Sequence, residues 1–139
     1  MLDNDNIETG FAKQYPCRFL IAEDGRFNQM IIQQILAKMG YTEVQFAATG
    51  QAVLEALKTE HFDIILMDIH MPEMGGIEAT QHIIKTYPNK RPTIIALTSS
   101  LSKDKCLAYL DQGMDDHTSK PVSIKSLHTL IKKWISSSP

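Results

Sequence analysis

The run Ile64-Ile65-Leu66-Met67 contains no polar residue and stops at Asp68. An unbroken apolar stretch of that length suits a strand covered on both faces, and such strands belong to parallel sheets sandwiched between helices. Three further segments end in the same way. Phe19-Leu20-Ile21-Ala22 precedes Glu23-Asp24, Thr93-Ile94-Ile95-Ala96-Leu97 precedes Thr98, and Asp115 to Ser119 precedes Lys120-Pro121. If all four are parallel strands of one sheet, their terminal polar groups emerge together at its carboxyl edge. Doubly wound sheets bind ligands there, where the strand order reverses.

Helical patterns separate the runs. Phe27, Ile31, Ile35 and Met39, broadened by Ile32 and Leu36, form one apolar stripe, and Gly40 offers a C-terminal stop. Tyr41 to Ala47 reads as a strand. Thr49 to Lys58 reads as a short helix with Val53, Leu54 and Leu57 inward, and Ile77 to Tyr87 as another. Pro88 and Pro92 punctuate the return to Thr93. Leu101 to Gln112 is predicted helical with Gly113 beyond it. Ile124, Leu127, Ile131 and Trp134 mark a closing helix capped by Ser123. The alternation predicts a single α/β layer sandwich.

The chain has 139 residues, the size of one domain with a real core. A net charge of −2 gives no electrostatic reason to expect nucleic acid or an anionic membrane surface as a partner. No apolar stretch reaches membrane-spanning length. Cys17 and Cys106 match neither a metal knuckle nor a CxxC pair, so reduced thiols in the cytoplasm are expected. The polar, acidic residues 1–16 read as a flexible leader and residues 17–135 as the domain. Residues 136–139 have the composition of a tail or linker, as in a segment of a longer protein.

The chemistry starts from the carboxylates. Glu23 and Asp24 adjoin at one strand end, and Asp68 closes the central strand. Like charges held together either take up protons or recruit a cation. Magnesium accepts few protein carboxylates, keeps several waters and completes its shell with phosphate oxygens, which suits this set better than zinc would. Lys120, in a loop stiffened by Pro121, can pair with a carboxylate at rest and with phosphoryl oxygen later. Taken singly, each residue has a plainer reading: solvated turn acids, a surface lysine, a threonine satisfying a neighbouring backbone group. Converging on one point, they suggest a divalent cation beside a phosphoryl acceptor.

Four segments in order then carry a resemblance: Ala22-Glu23-Asp24, Met67 to Met74, Ala96-Leu97-Thr98 and Ser119-Lys120-Pro121. From about Cys17 to Trp134 the chain resembles the receiver domain of two-component response regulators. The stretches Arg26 to Gln29 and Asp68 to Met74 are most similar to receivers attached to hybrid histidine kinases. The resemblance implies a flavodoxin-like, doubly wound sheet of five parallel strands in the order 2-1-3-4-5. It implies that Asp68 receives a phosphoryl group from phosphohistidine. Asp24, Asp68 and the His70 carbonyl would hold Mg²⁺, with Glu23 acting through a water. Lys120 would contact the acyl phosphate, and Thr98 would swing to bond it as the switch. The implied partner is a histidine phosphotransfer protein or histidine kinase domain, docking near Phe27, Met30 and Ile31. Homodimerisation on phosphorylation stays open, as does a stand-alone regulator acting by protein contact. The chain then reads as a signalling phosphoacceptor, not a turnover enzyme, although its parent protein could be a histidine kinase.

Three positions depart from the family pattern. His117 stands where a switch Tyr or Phe is usual; a pH-biased rotating side chain and an exposed histidine are both open readings. Gly75 stands where Asp is frequent, and the Gly75-Gly76 pair is expected to loosen the loop after Asp68. Gly25 replaces a polar residue and removes an N-cap. These changes, with His70 and Ser100 flanking the route of attacking water, bear on phosphoryl lifetime. His61, His82 and His128 lack ligand-spaced partners and are expected at the surface. A Mg²⁺-dependent phosphohydrolase with an aspartyl nucleophile is disfavoured, because His70 occupies the place of its second acid. A flavin-binding domain is disfavoured because Glu23-Asp24 would repel phosphate without a metal. A degenerate receiver, one that acts without phosphorylation, is opposed by the complete set of five side chains.

Overall fold

The computed structural model describes residues 10–99 and 102–136. Among these residues, five parallel strands form one sheet in the order β2-β1-β3-β4-β5, as expected. They are β1 Phe19–Ala22, β2 Val44–Ala47, β3 Ile64–Asp68, β4 Thr93–Thr98 and β5 Asp116–Ser119. The helices are α1 Arg26–Lys38, α2 Gly50–Thr59, α3 Gly76–Thr86, α4 Lys103–Asp111 and α5 Ile124–Trp134.

Side chains alternate across the sheet because successive Cβ atoms point to opposite faces. Phe19, Ile21, Ile64, Leu66, Ile95 and Leu97 point to one face, against Ile32 and Leu36 of α1 and Leu127 and Ile131 of α5. Leu20, Ala22, Ile65, Met67, Ile94 and Ala96 point to the other, against Val53 of α2 and Ala79 and Ile83 of α3. All five residues of β3 are buried, which accounts for its unbroken apolar run. Fully burying one Val- or Leu-sized side chain is worth about 1.5–3 kcal/mol, so these two layers dominate the driving force for folding.

Local signals set the element ends. Gly40 adopts φ 100° after α1, and Gly113 adopts φ 110° after α4, a conformation only glycine reaches without strain. Ser123 caps α5 through a reciprocal pair with Ser126. Gly25 stands at the N-cap of α1 with no side-chain bond, as its residue type dictates. β2 starts at Val44 instead of Tyr41: the Tyr41 N–H donates back to the Leu36 carbonyl of α1 at 2.9 Å, and the Tyr41 ring packs beside Phe19. The expected start of α4 at Leu101 lies outside the described residues, and Ser102 caps the helix at Lys103.

The flexible-leader expectation needs correction for residues 10–16. Residues 10–14 form a helical turn, and Phe11 is 4% exposed within the core cluster of Phe19, Met39, Tyr41 and Leu127. The Ala12 N–H donates to the Met39 carbonyl at 3.0 Å, and the Tyr41 hydroxyl donates to the Tyr15 carbonyl. Phe11, Ala12 and Tyr15 form a short apolar face that the polar composition around it conceals. His128 is likewise half-buried instead of solvent-facing, its ring stacked 4.3 Å from that of Phe11. His61 and His82 are exposed, as expected.

Candidate functional site

Strand register brings the polar groups together. Ala22 pairs with Met67, and Asp68 pairs with Leu97, so Glu23, Asp68 and Thr98 leave the sheet within a residue of the same level. Thr98 pairs in turn with Ser119, and the Lys120 N–H donates to the Thr98 carbonyl at 2.9 Å. The Lys120–Pro121 bond is cis.

The Lys120 ammonium lies 2.8 Å from Asp68 Oδ2 and 3.2 Å from Glu23 Oε1. Burial pulls the Lys120 pKa down, but hydrogen bonding and charge from Asp68, then from Glu23, outweigh that and hold it above its ordinary value. The ammonium is therefore fully charged at neutral pH. The other Asp68 oxygen, Oδ1, accepts the His70 N–H at 3.2 Å. Glu23 Oε2 accepts the Gly25 N–H at 2.8 Å.

Glu23, Asp24 and Asp68 each offer a carboxylate oxygen within 4.8 Å of the others. Asp24 is exposed, whereas Glu23 and Asp68 are 1% and 4% exposed. Glu23 Oε1 is buried and makes no hydrogen bond among the described residues beyond its ion-pair contact with Lys120. Three carboxylates around one cation leave an excess of negative charge, and a divalent ion there would balance it and give Glu23 Oε1 a partner beyond Lys120. The all-oxygen donor set suits a hard cation, not zinc.

Other expected positions are less central. His70 is exposed, with its backbone N–H on Asp68. Thr98 is buried at the end of β4, and His117 is exposed on β5. A recess of about 510 Å³ lies between them, walled also by Cys106, Leu107 and Thr118. Ser100 lies outside the described residues.

The loop after Asp68 is held more firmly than the glycine pair suggested. The Gly76 N–H donates to the Ile69 carbonyl at 3.0 Å, and the Met74 N–H to the Pro72 carbonyl at 2.7 Å. Gly76 is bare for a steric reason, since a Cβ there would stand 2.2 Å from the Asp68 carbonyl oxygen.

Residues 19–132 match the family pattern of the response regulator receiver domain. The chain belongs to that family. This receiver domain is 40% identical over 116 residues to the aerobic respiration control sensor protein ArcB of Escherichia coli, covering 83% of the chain but 15% of ArcB. The chain thus spans a small part of the length of that curated relative. Among solved structures, it resembles the receiver domain of the sensor histidine kinase PA1611 of Pseudomonas aeruginosa, which has magnesium coordinated in its active-site cleft. The TM-score is 0.75 at 32% identity, covering 85% of this chain and 96% of that one. It also resembles a receiver domain solved with a phosphotransfer protein, that of the response regulator Ssk1 with Ypd1 of Saccharomyces cerevisiae. There the TM-score is 0.78 at 30% identity, covering 87% and 90%.

Proposed function

We propose that this receiver domain accepts a phosphoryl group on Asp68 from a phosphohistidine and changes conformation in response. The observation that carries this reading is the Asp68 carboxylate, held at the end of a buried strand between the Lys120 ammonium, at 2.8 Å, and two further acids. Phosphoryl transfer needs in-line positioning and charge neutralisation more than covalent work by the protein. As an Asp68 carboxylate oxygen forms the new P–O bond, the P–N bond of the donor breaks and its electron pair stays on the imidazole. Lys120 moves its charge from the carboxylate to the phosphoryl oxygens.

Glu23, Asp24 and Asp68 would hold Mg²⁺, with the His70 carbonyl beside them, and the ion when bound supplies charge neutralisation at the phosphoryl oxygens. Thr98 is placed to hydrogen-bond the new group, and His117 faces a recess into which it can turn. The donor we propose is a histidine phosphotransfer protein or kinase domain in the cytoplasm. It would dock on α1, where Phe27 is 74% and Met30 54% exposed. Among the described residues no helix is long and apolar enough to cross a membrane. Similarity to sensor kinase receivers supports a place inside a hybrid histidine kinase or phosphorelay.

Adding beryllofluoride and Mg²⁺ tests the reading by backbone NMR. Shifts at Asp68, Thr98 and Lys120 are expected in the wild type and not in Asp68→Asn. A silent wild type defeats the switch, and a responsive variant defeats the acceptor assignment.

A further inference from the structure

The loop from Ile69 to Gly75 sets where the His70 backbone lies, and the His70 N–H in turn orients Asp68 Oδ1. Ile69 and Met71 anchor this loop inward, being 7% and 9% exposed in the second core layer. Its outer half is held less deeply: Pro72 and Glu73 are exposed, Glu73 adopts φ 67°, and Met74 is only partly buried against that layer. Among the described residues, a backbone bond to a different element also fastens that half. The Gly50 N–H, in the first turn of α2, donates to the Met74 carbonyl at 2.9 Å.

The approach is close enough to exclude any side chain at position 50. A Cβ built on Gly50 would stand 2.7 Å from the Met74 carbonyl oxygen, 2.7 Å from Met74 Cγ and 3.0 Å from Met74 Cβ. The carbonyl is backbone and cannot yield without moving the loop. Thr49 meanwhile caps α2 by accepting the Ala52 N–H at 3.0 Å, so the helix start does not rely on residue 50. An orphan donor of a helix N-terminus is thus spent on the loop.

We propose that Gly50 is a positioning residue for phosphoryl acceptance, acting through Met74 and the loop to hold His70 and Asp68 in place. This rests on the function proposed above and extends it to the β2–α2 junction, which touches no reacting atom. The warrant is general: groups that orient ligands typically change metal affinity or activity by about 10- to 100-fold when lost.

The test compares Gly50→Ala with Val53→Ala, a cavity variant in the same helix that leaves the latch intact. Mg²⁺ affinity is measured by NMR titration, and phosphorylation by a small acyl phosphate donor. Gly50→Ala is expected to lose about 10- to 100-fold in both, with a displaced His70 amide resonance. Val53→Ala is expected to lose stability while keeping wild-type Mg²⁺ affinity. Wild-type affinity and an unmoved His70 resonance in Gly50→Ala would overturn the proposal, as would equal losses in both variants.

A second measurement needs no variant to fold. In the wild type, the Gly50 amide should shift on adding beryllofluoride with Mg²⁺, together with that of His70. A silent Gly50 beside a responsive Asp68 and His70 overturns the latch alone. Silence at all three overturns the underlying phosphoacceptor reading instead.

Discussion

Lys120 Nζ lies 2.8 Å from Asp68 Oδ2, joining residues 52 positions apart into one partly buried ion pair at the carboxyl edge of the sheet. The same ammonium reaches Glu23 at 3.2 Å, so one cation offsets two carboxylates that are almost wholly shielded from water. Without it their oxygens would be buried acceptors beside like charge.

Replacing Lys120 with Met should therefore destabilise the metal-free domain by about 1–3 kcal/mol, the usual cost of leaving a buried polar group unsatisfied. Millimolar Mg²⁺ should restore much of the loss, because a cation at the three acids neutralises the same charge. Urea unfolding with and without Mg²⁺ measures both effects. In the wild type the Lys120 contribution is complete below the unfolded-state pKa, about 10.4. It is lost only as pH rises through the higher folded-state value, so it is fully present at neutral and mildly alkaline pH and adds no pH dependence there.

Asp116 predicts the acid limb. Burial pushes its carboxyl up, but the Trp134 indole N–H at 2.9 Å, the His117 N–H at 2.8 Å and Lys133 at 3.0 Å outweigh burial and hold it below the ordinary range. A depressed folded pKa gives stability that is present above the unfolded value, about 3.9, and is lost as pH falls through the folded one. Asp116→Asn should flatten the fall in stability below that unfolded value. The chain has a single tryptophan, so its fluorescence during acid titration reports the bond directly.

Gly76→Ala should be among the costliest small substitutions. A Cβ there meets Asp68 O at 2.2 Å and Met67 Cγ at 2.9 Å, both in the fully buried strand β3. Overpacking of this kind costs about 1–3 kcal/mol and sometimes more. Chemical denaturation checks the magnitude, and a neutral result would show that α3 can slide away from the strand.

Phe11→Ala should cost about 3–5 kcal/mol, the range for emptying a buried phenylalanine site. Phe11 precedes the segment that matches the receiver family, so a domain trimmed to start at Cys17 should lose comparable stability. An unchanged urea midpoint in both would show that the packed turn contributes nothing.

Fold and site were legible in the sequence to different depths. β3 and β4 stand out as unbroken apolar runs because both faces of each are covered, and α1 and α5 stand out by their apolar stripes. The candidate acids stand out because each follows an apolar run, whereas Lys120 follows the polar segment Asp115 to Ser119 and stands out by its place before Pro121. Phe11 was concealed because three apolar residues in a polar stretch give no periodicity worth trusting. Gly50 was concealed because its significance is an empty volume, and a sequence does not record what a missing side chain avoids. The Gly75-Gly76 pair suggested looseness, yet Gly76 serves a close approach to Asp68.

Alone, the sequence determined the alternation of strands and helices and which polar groups close each strand, because both follow from patterns a few residues long. Distance was decided only by the tertiary structure. Parallel register across β1, β3, β4 and β5 brings Glu23, Asp68, Thr98 and Lys120 to one rim, and α2 presses against the loop that orients Asp68. Such contacts join residues far apart in the chain, and their lengths follow from how whole layers pack.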